Sequence, residues 1–108
     1  MAEKPGKGAP SFRQVAKRLK QTVESGSLRF TRHAREQMQA RGLTVIDLAE
    51  ALTGCAVVEM TGREAGRAAW KYRAEGSTAD GDRIAVVAGL PDDPNEPVSI
   101  VSAWRIDR

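Results

Sequence analysis

The segment FTRHAREQMQARGLTVIDL, residues Phe30–Leu48, predicts two short helices separated by a glycine. Thr31 fits an N-cap, a residue whose side-chain oxygen accepts a hydrogen bond from the first helical turn. The helix that Thr31 opens ends at Gly42, because glycine adopts the left-handed conformation at helix ends without steric cost. Thr44 and Asp47 then form a capping box, which predicts the start of the next helix.

The sequence on both sides of this segment predicts an α+β domain. Ser11 and Gln14 form another capping box, and apolar residues recur at helical spacing up to Ser25. Beyond Gly54 the apolar residues follow the two-residue period of strands. The predicted helices span residues 11–25, 31–41 and 44–53, and the predicted strands span 55–60, 67–74, 84–88 and 98–106. Helices followed by strands indicate N-terminal helices packed on an antiparallel sheet of about four strands.

The length and composition predict one domain. The chain has 108 residues, of which 41% are hydrophobic and 29% are charged, as is typical of globular proteins. We expect residues 1–10 to form a disordered leader and residues 11–108 to form a single α+β domain. No apolar run reaches the roughly 20 residues that span a membrane, and the N-terminus lacks the apolar core of a secretory signal. We therefore expect a cytoplasmic protein with no membrane partner.

Cofactor chemistry is not indicated by the residue types present. The chain has one histidine and one cysteine, Cys55, which is too few for a zinc site of the usual kind. It also lacks a glycine-rich phosphate loop. We expect no cofactor and no metal, and we interpret Cys55 as a small residue of the domain interior.

The charge is distributed unevenly along the chain. Residues 1–42 contain ten Lys or Arg and three Asp or Glu, whereas residues 43–108 contain seven basic and eleven acidic residues. A basic half suggests an anionic partner, and nucleic acid is the commonest one. The alternative is that these basic residues only form the solvent-exposed face of a helix.

His33 and Arg41 are the first candidates for a functional site. His33 lies at the start of a predicted helix, where the helix dipole favours a neutral imidazole that can accept a proton. Arg41 follows eight residues later, roughly 12 Å along the helix, and its long side chain can reach a phosphate near the imidazole. The alternatives are a surface histidine and an arginine that stabilises the end of the helix.

Other candidate residues lie on the predicted strands. Lys71 and Arg73 form a basic stripe with Arg67, which either holds phosphate or only keeps the sheet face soluble. Tyr72 either donates a proton or packs in the core. Ser102 lies among apolar neighbours, so its hydroxyl must find a partner or border a cleft. On this last strand the two-residue period predicts that one face carries the following residues: Val98, Ile100, Ser102, Trp104 and Ile106.

The segment around His33 resembles a bacterial family called domain of unknown function 4258. The residues that carry the resemblance are Phe30-Thr31, His33-Ala34, Met38, Arg41-Gly42-Leu43-Thr44 and Asp47-Leu48. Weaker similarity continues through the strands, at Trp70–Arg73, Ile84–Ala88 and Ile100–Trp104. The resemblance covers about residues 28 to 106.

The resemblance implies a distant relationship to RelE-like and BrnT-like ribonuclease toxins, which have N-terminal helices packed on an antiparallel sheet. The implied activity is metal-independent RNA cleavage, in which a 2′-hydroxyl attacks the adjacent phosphate. The catalytic positions of the family would correspond to His33, Arg41 and Ser102. Substrate contacts would come from Arg35, Lys71, Tyr72 and Arg73. Because the chain has one histidine, the second proton-transfer role falls on another group, and the sequence offers Tyr72 and Glu36 without selecting either.

Two functions therefore remain open from the sequence. The first is a small bacterial endoribonuclease, the toxin of a toxin–antitoxin pair, with RNA as substrate and an antitoxin protein as partner. The second is a non-catalytic module of the same fold that binds nucleic acid or protein. The first function requires His33 and Arg41, whereas the second depends more on the basic residues of the first helix and on low salt.

Overall fold

Three helices pack on a five-stranded sheet in the computed structural model, which describes residues 9–64, 69–93 and 95–106. The helices are α1 (Phe12–Ser25), α2 (Arg32–Arg41) and α3 (Val45–Thr53). The strands are β1 (Arg29–Phe30), β2 (Ala56–Glu64), β3 (Ala69–Ser77), β4 (Arg83–Pro91) and β5 (Ser99–Arg105). The predicted α+β class is confirmed. Most of the predicted leader, together with Arg67 and Ala68 of the predicted strand 67–74, lies outside the described residues.

The sheet has the order β1-β5-β4-β3-β2 and is antiparallel except at one edge. There Arg29 and Phe30 pair in parallel with Ser99 and Ile100 of β5. This two-residue strand accounts for the fifth strand, where the sequence predicts about four. It also places the start of α2 directly beside β5.

The predicted helix caps are present. The Gln14 backbone N–H donates to the Ser11 hydroxyl at 3.2 Å, and the Asp47 backbone N–H donates to the Thr44 hydroxyl at 3.1 Å. Gly42 ends α2 with a φ of 67°, in the left-handed region that favours glycine. These local bonds satisfy backbone groups that a helix end leaves unpaired.

The core lies between the helices and one face of the sheet. Val15 and Leu19 of α1 and Leu48 of α3 are buried against Tyr72 and Ile100 from the strands. The opposite face of the sheet is not covered by a helix in the described part of the chain. Apolar burial on one face only is what fixes the register of such a sheet.

A β-bulge in β5 changes the direction of its side chains. Ile100 pairs with Ala88, but Ser102 pairs with the next residue of β4, Val87, so Val101 is an extra residue in the strand. The prediction that Ser102 and Trp104 share a face with Val98 and Ile100 is therefore wrong. Val98 and Ile100 are buried under the helices, whereas Ser102 and Trp104 lie on the open face. Ile106 lies beyond the end of β5.

Helix α2 lies along the edge of β5 beyond the end of β1. The Thr31 hydroxyl donates to the Val101 carbonyl at 3.2 Å, and the Ala103 amide donates to Gln37 Oε1 at 2.9 Å. Both bonds satisfy backbone groups that an edge strand would otherwise expose. Side chains of α2 therefore replace a neighbouring strand and fix the position of the helix along β5.

Arg18 of α1 holds the acidic loop between β4 and β5. Its guanidinium donates to the carbonyl oxygens of Pro91, Asp93 and Glu96 at 3.1, 3.0 and 2.9 Å. Bonds from a charged donor are stronger than those between neutral groups. The loop is thus tied to the first helix through its backbone.

Candidate functional site

The exposed side of α2 carries the predicted catalytic pair. His33, Gln37 and Arg41 follow one another at intervals of four residues, so each lies roughly 40° around the helix and 6 Å along it from the last. Ala34 and Met38 on the inner side are buried, at 0% and 6% exposure. Because Gln37 is bonded to the edge of β5, His33 and Arg41 lie on either side of a fixed point of that strand. Both side chains are exposed.

A shallow pocket lies where α2 meets the end of β5. It is lined by Gln37, Arg41, Trp104 and Arg105 and has a volume of about 450 Å³. The Arg105 guanidinium donates to the backbone carbonyl of Arg41 and lies 3.6 Å from a carboxylate oxygen of Asp82. Two guanidinium groups therefore meet at one opening beside an indole ring, which suits an anion with an aromatic part.

The open face of the sheet continues from this pocket. Val87 of β4 pairs with Ser102 on one side and with Arg73 on the other, and directly paired residues share a face. By the same alternation Lys71 and Trp104 lie on this face. The structure thus brings Ser102, Lys71 and Arg73 onto one surface, with α2 along its rim. Ser102 is half-buried, and its hydroxyl forms no hydrogen bond within the part of the chain that the structure describes.

Arg73 is already engaged by carboxylates. Its guanidinium lies 3.6 Å from Glu59 and 3.7 Å from Glu75, and Glu75 also pairs with Arg83 at 3.3 Å. This network neutralises much of the charge that Arg73 would offer to a phosphate. Lys71 forms no ion pair with the carboxylates whose side chains the structure describes. Of the two predicted phosphate contacts, Lys71 is therefore the better suited electrostatically.

Tyr72 has a structural position. Its side chain is fully buried, its hydroxyl donates to the Pro10 carbonyl at 2.6 Å, and its ring makes an edge-on contact with Phe12 at 6.0 Å. Burial raises the pKa of the Tyr72 hydroxyl, because the core disfavours the phenolate. The ring faces the helices, away from Lys71 and Arg73. This geometry indicates packing, and it separates Tyr72 from the other predicted substrate contacts.

Arg35 lies on another side of α2. It lines a second groove of about 570 Å³, whose apolar walls are contributed by Leu28, Phe30, Met38, Leu43 and Val45. The helical rotation from His33 to Arg35 is roughly 200°, so the two side chains point in nearly opposite directions. Glu36, the other predicted proton-transfer group, pairs with Arg32 at 3.5 Å on the exposed surface. Arg35 is therefore not part of the surface that carries His33.

Sequence reasoning did not select Trp104 or Arg105 as site residues. Both follow the bulge in β5, and simple alternation places Trp104 in the core. The signal available in the sequence was an arginine directly after an aromatic residue in the last strand. That signal is weak until the strand's pairing is known.

The structure contains few groups suited to a metal. Among residues 9–64, 69–93 and 95–106, no three His, Cys, Asp or Glu side chains are placed to hold an ion. Cys55 is a half-buried free thiol, and burial raises its pKa more than a backbone hydrogen bond lowers it. A thiol with a raised pKa is a poor nucleophile at neutral pH, because the thiolate is the reactive form. No helix in the same residues is long and apolar enough to cross a membrane.

Comparison with known proteins shows the family of this chain. No curated protein and no solved structure matches it. The family model described as Domain of unknown function (DUF4258) matches residues 30–105, which run from β1 to the end of β5 and include α2, the pocket and the open sheet face. The match covers well over half of the chain, and the resemblance seen around His33 is confirmed: the protein belongs to the DUF4258 family.

Proposed function

We propose that this protein is a metal-independent endoribonuclease, the toxin of a cytoplasmic toxin–antitoxin pair, with His33 and Arg41 in its active site. The proposal is supported by one observation above all. His33, Gln37 and Arg41 form a row on α2 that Gln37 holds against β5, and the row ends at the cationic pocket, which Gln37 and Arg41 line beside the open face of the sheet. An imidazole and several cations on one open surface suit an extended anionic substrate.

The proposed reaction divides into proton transfer and charge stabilisation. His33 removes the proton of an RNA 2′-hydroxyl, whose oxygen forms a bond to the adjacent phosphorus. The bond from phosphorus to the 5′-oxygen breaks, that oxygen takes up a proton, and a 2′,3′-cyclic phosphate remains. Arg41 stabilises the negative charge that develops on the phosphate, and Lys71, which pairs with Gly89 at the other end of the open face, binds a different phosphate of the same strand. Of the two side chains that the sequence offers for the second proton transfer, Glu36 is the exposed one; it lies one helical turn from His33 and pairs with Arg32 at 3.5 Å.

A second function, a non-catalytic module that binds RNA, is favoured by a different observation. Tyr72 is buried and its hydroxyl donates a hydrogen bond to the Pro10 carbonyl. One of the two predicted partners of His33 in proton transfer is therefore not at the surface. The cationic pocket requires no proton transfer to bind RNA. Under this alternative, removal of His33 leaves the function largely intact.

Growth after induced expression in bacteria distinguishes the two functions. We expect the wild type to arrest growth and His33→Ala and Arg41→Ala to be harmless at matched soluble yield. Gln39→Ala is the control, because this exposed residue lies on the same helix at roughly 240° from His33. RNA from arrested cells should carry new ends with cyclic phosphates. Arrest by His33→Ala equal to that of the wild type would rule out a catalytic imidazole, and harmless expression of every variant would favour the binding module.

A further inference from the structure

The two tryptophans of the chain lie in different environments. Trp70 packs against the core, and the guanidinium carbon of Arg63 lies 4.4 Å from the centre of its ring. Trp104 pairs across the sheet with Ala85 and lines the pocket at the end of β5. The indole of Trp104 therefore borders the pocket and can contact a ligand there. One face of the Trp70 indole is instead covered by the Arg63 guanidinium.

The polar groups around Trp104 are hydrogen-bond donors. The side-chain Oε1 of Gln37 accepts from the Ala103 backbone N–H at 2.9 Å, and this bond leaves the side-chain NH₂ group of Gln37 as a donor. Arg41 supplies an exposed guanidinium group, which matches the geometry of phosphate oxygens, whereas the guanidinium of Arg105 is partly engaged by the Arg41 carbonyl and Asp82. An aromatic surface beside these donors has the chemistry of a site for a base and its phosphate.

We propose that this pocket binds one unpaired nucleotide of single-stranded RNA, with the base stacked on Trp104 and its phosphate on Arg41. The proposal rests on the proposed function in that it names the substrate class of the same surface. The volume of about 450 Å³ lies within the range of small-molecule sites, roughly 300–1,000 Å³. A base in a duplex is stacked on both sides and offers no free surface to the indole, so the pocket selects single strands.

Tryptophan fluorescence tests this site directly. In the full chain carrying Trp70→Phe, Trp104 is the remaining tryptophan and therefore the source of the signal. The probe is a single-stranded 2′-O-methyl RNA, which cannot be cleaved through its 2′-oxygen, and the control is the same strand in a duplex. We expect the single strand, but not the duplex, to quench Trp104 emission at low salt. Trp104→Ala in the wild-type background should weaken single-strand binding roughly tenfold, and Trp104→Phe should restore most of the affinity.

The outcomes separate this inference from the proposed catalysis. Quenching by the single strand without growth arrest would support the nucleotide site and contradict the proposed nuclease activity. Growth arrest that depends on His33, with no change in Trp104 emission, would overturn the nucleotide site alone. Equal quenching by strand and duplex would also overturn it, because such a signal reports contact with the phosphate backbone. Neither arrest nor quenching would reject both proposals.

Discussion

Substitution of Gly76 by alanine should be among the most destabilising small changes in this protein. Gly76 lies in β3 directly under α3, and a Cβ atom at this position would lie 1.9 Å from the Ala51 carbonyl oxygen and 2.7 Å from its carbon. Real Cβ atoms essentially never approach another atom within 3.0 Å, so the helix and the strand must separate by about 1 Å. Both contact atoms belong to the backbone, so no side-chain rotation relieves the overlap.

The expected loss of stability comes from looser packing between α3 and β3. Leu48 and Leu52 of α3 are buried at 0% and 2% exposure, and burial of each contributes about 1.5–3 kcal/mol. A gap of up to 1 Å forfeits roughly a quarter to a half of the dispersion energy of the atoms concerned. We therefore expect Gly76→Ala to lower the free energy of unfolding by about 1–3 kcal/mol, in line with other overpacked cores. For a domain of this size the corresponding fall in Tm is about 5–20 °C.

Gly54→Ala is the matched control. Gly54 follows α3 with a φ of −124°, and a Cβ atom there would meet nothing within 4 Å. Alanine fits this backbone conformation, so we expect a change between zero and a gain of about 1 kcal/mol. Urea and thermal unfolding followed by circular dichroism would measure both variants. A Gly76→Ala protein with the same Tm as Gly54→Ala would refute the close contact between β3 and α3.

Three further predictions concern long-range hydrogen bonds. Tyr72→Phe removes the bond to Pro10 and should cost about 0.5–1.5 kcal/mol in urea unfolding at neutral pH, without changing growth arrest. Because the folded-state pKa of Tyr72 is raised above its ordinary 10.0, the burial of its neutral form stabilises the wild type below that pH. The stability difference in favour of the wild type should therefore shrink as the pH rises above about 10, and a constant difference would contradict the burial. Gln37→Glu keeps an acceptor for the Ala103 amide but adds a negative charge to the pocket. Gln37→Glu should retain the Tm and weaken RNA binding. Gln37→Ala should also weaken RNA binding, and its free energy of unfolding should fall by about 1 kcal/mol because the bond is lost. Equal Tm values for the two variants would exclude a structural role of this hydrogen bond. Arg18→Leu should cost about 1.5–3 kcal/mol and speed hydrogen exchange in the loop it holds, and unchanged exchange would show that the loop is held by other contacts.

The helices were predictable because their signals are local. Ser11 with Gln14, and Thr44 with Asp47, satisfy helix ends through residues three positions apart, so the pattern can be recognised without any knowledge of the fold. The change to a two-residue period after α3 likewise predicts the antiparallel sheet. The boundaries of the strands were less accurate, since β2, β3 and β4 each extend beyond the predicted segment. Strand ends depend on the partner strand more than on the residues themselves.

The candidate site was only partly predictable, and the bulge in β5 is the main reason. One extra residue at Val101 moves Ser102 and Trp104 to the other face of the sheet. This extra residue is visible only in the pairing of β5 with β4, which a single sequence does not display. The contacts of Arg18 and Tyr72 with distant backbone carbonyls were unpredictable for the same reason, because they join residues more than sixty positions apart.

Edge protection and the candidate site depend on the same helix. An unpaired edge of β5 would favour association with other strands, and Thr31 and Gln37 prevent this by bonding to its backbone. These two bonds also determine how far α2 lies along β5, and therefore how His33 and Arg41 are placed relative to Trp104. A helix held only by apolar packing could shift along the strand at little cost, whereas one held by two directional hydrogen bonds cannot. The hydrogen bonds of Thr31 and Gln37 thus stabilise the fold, and the same two bonds fix the position of the exposed row on α2, which contains His33 and Arg41.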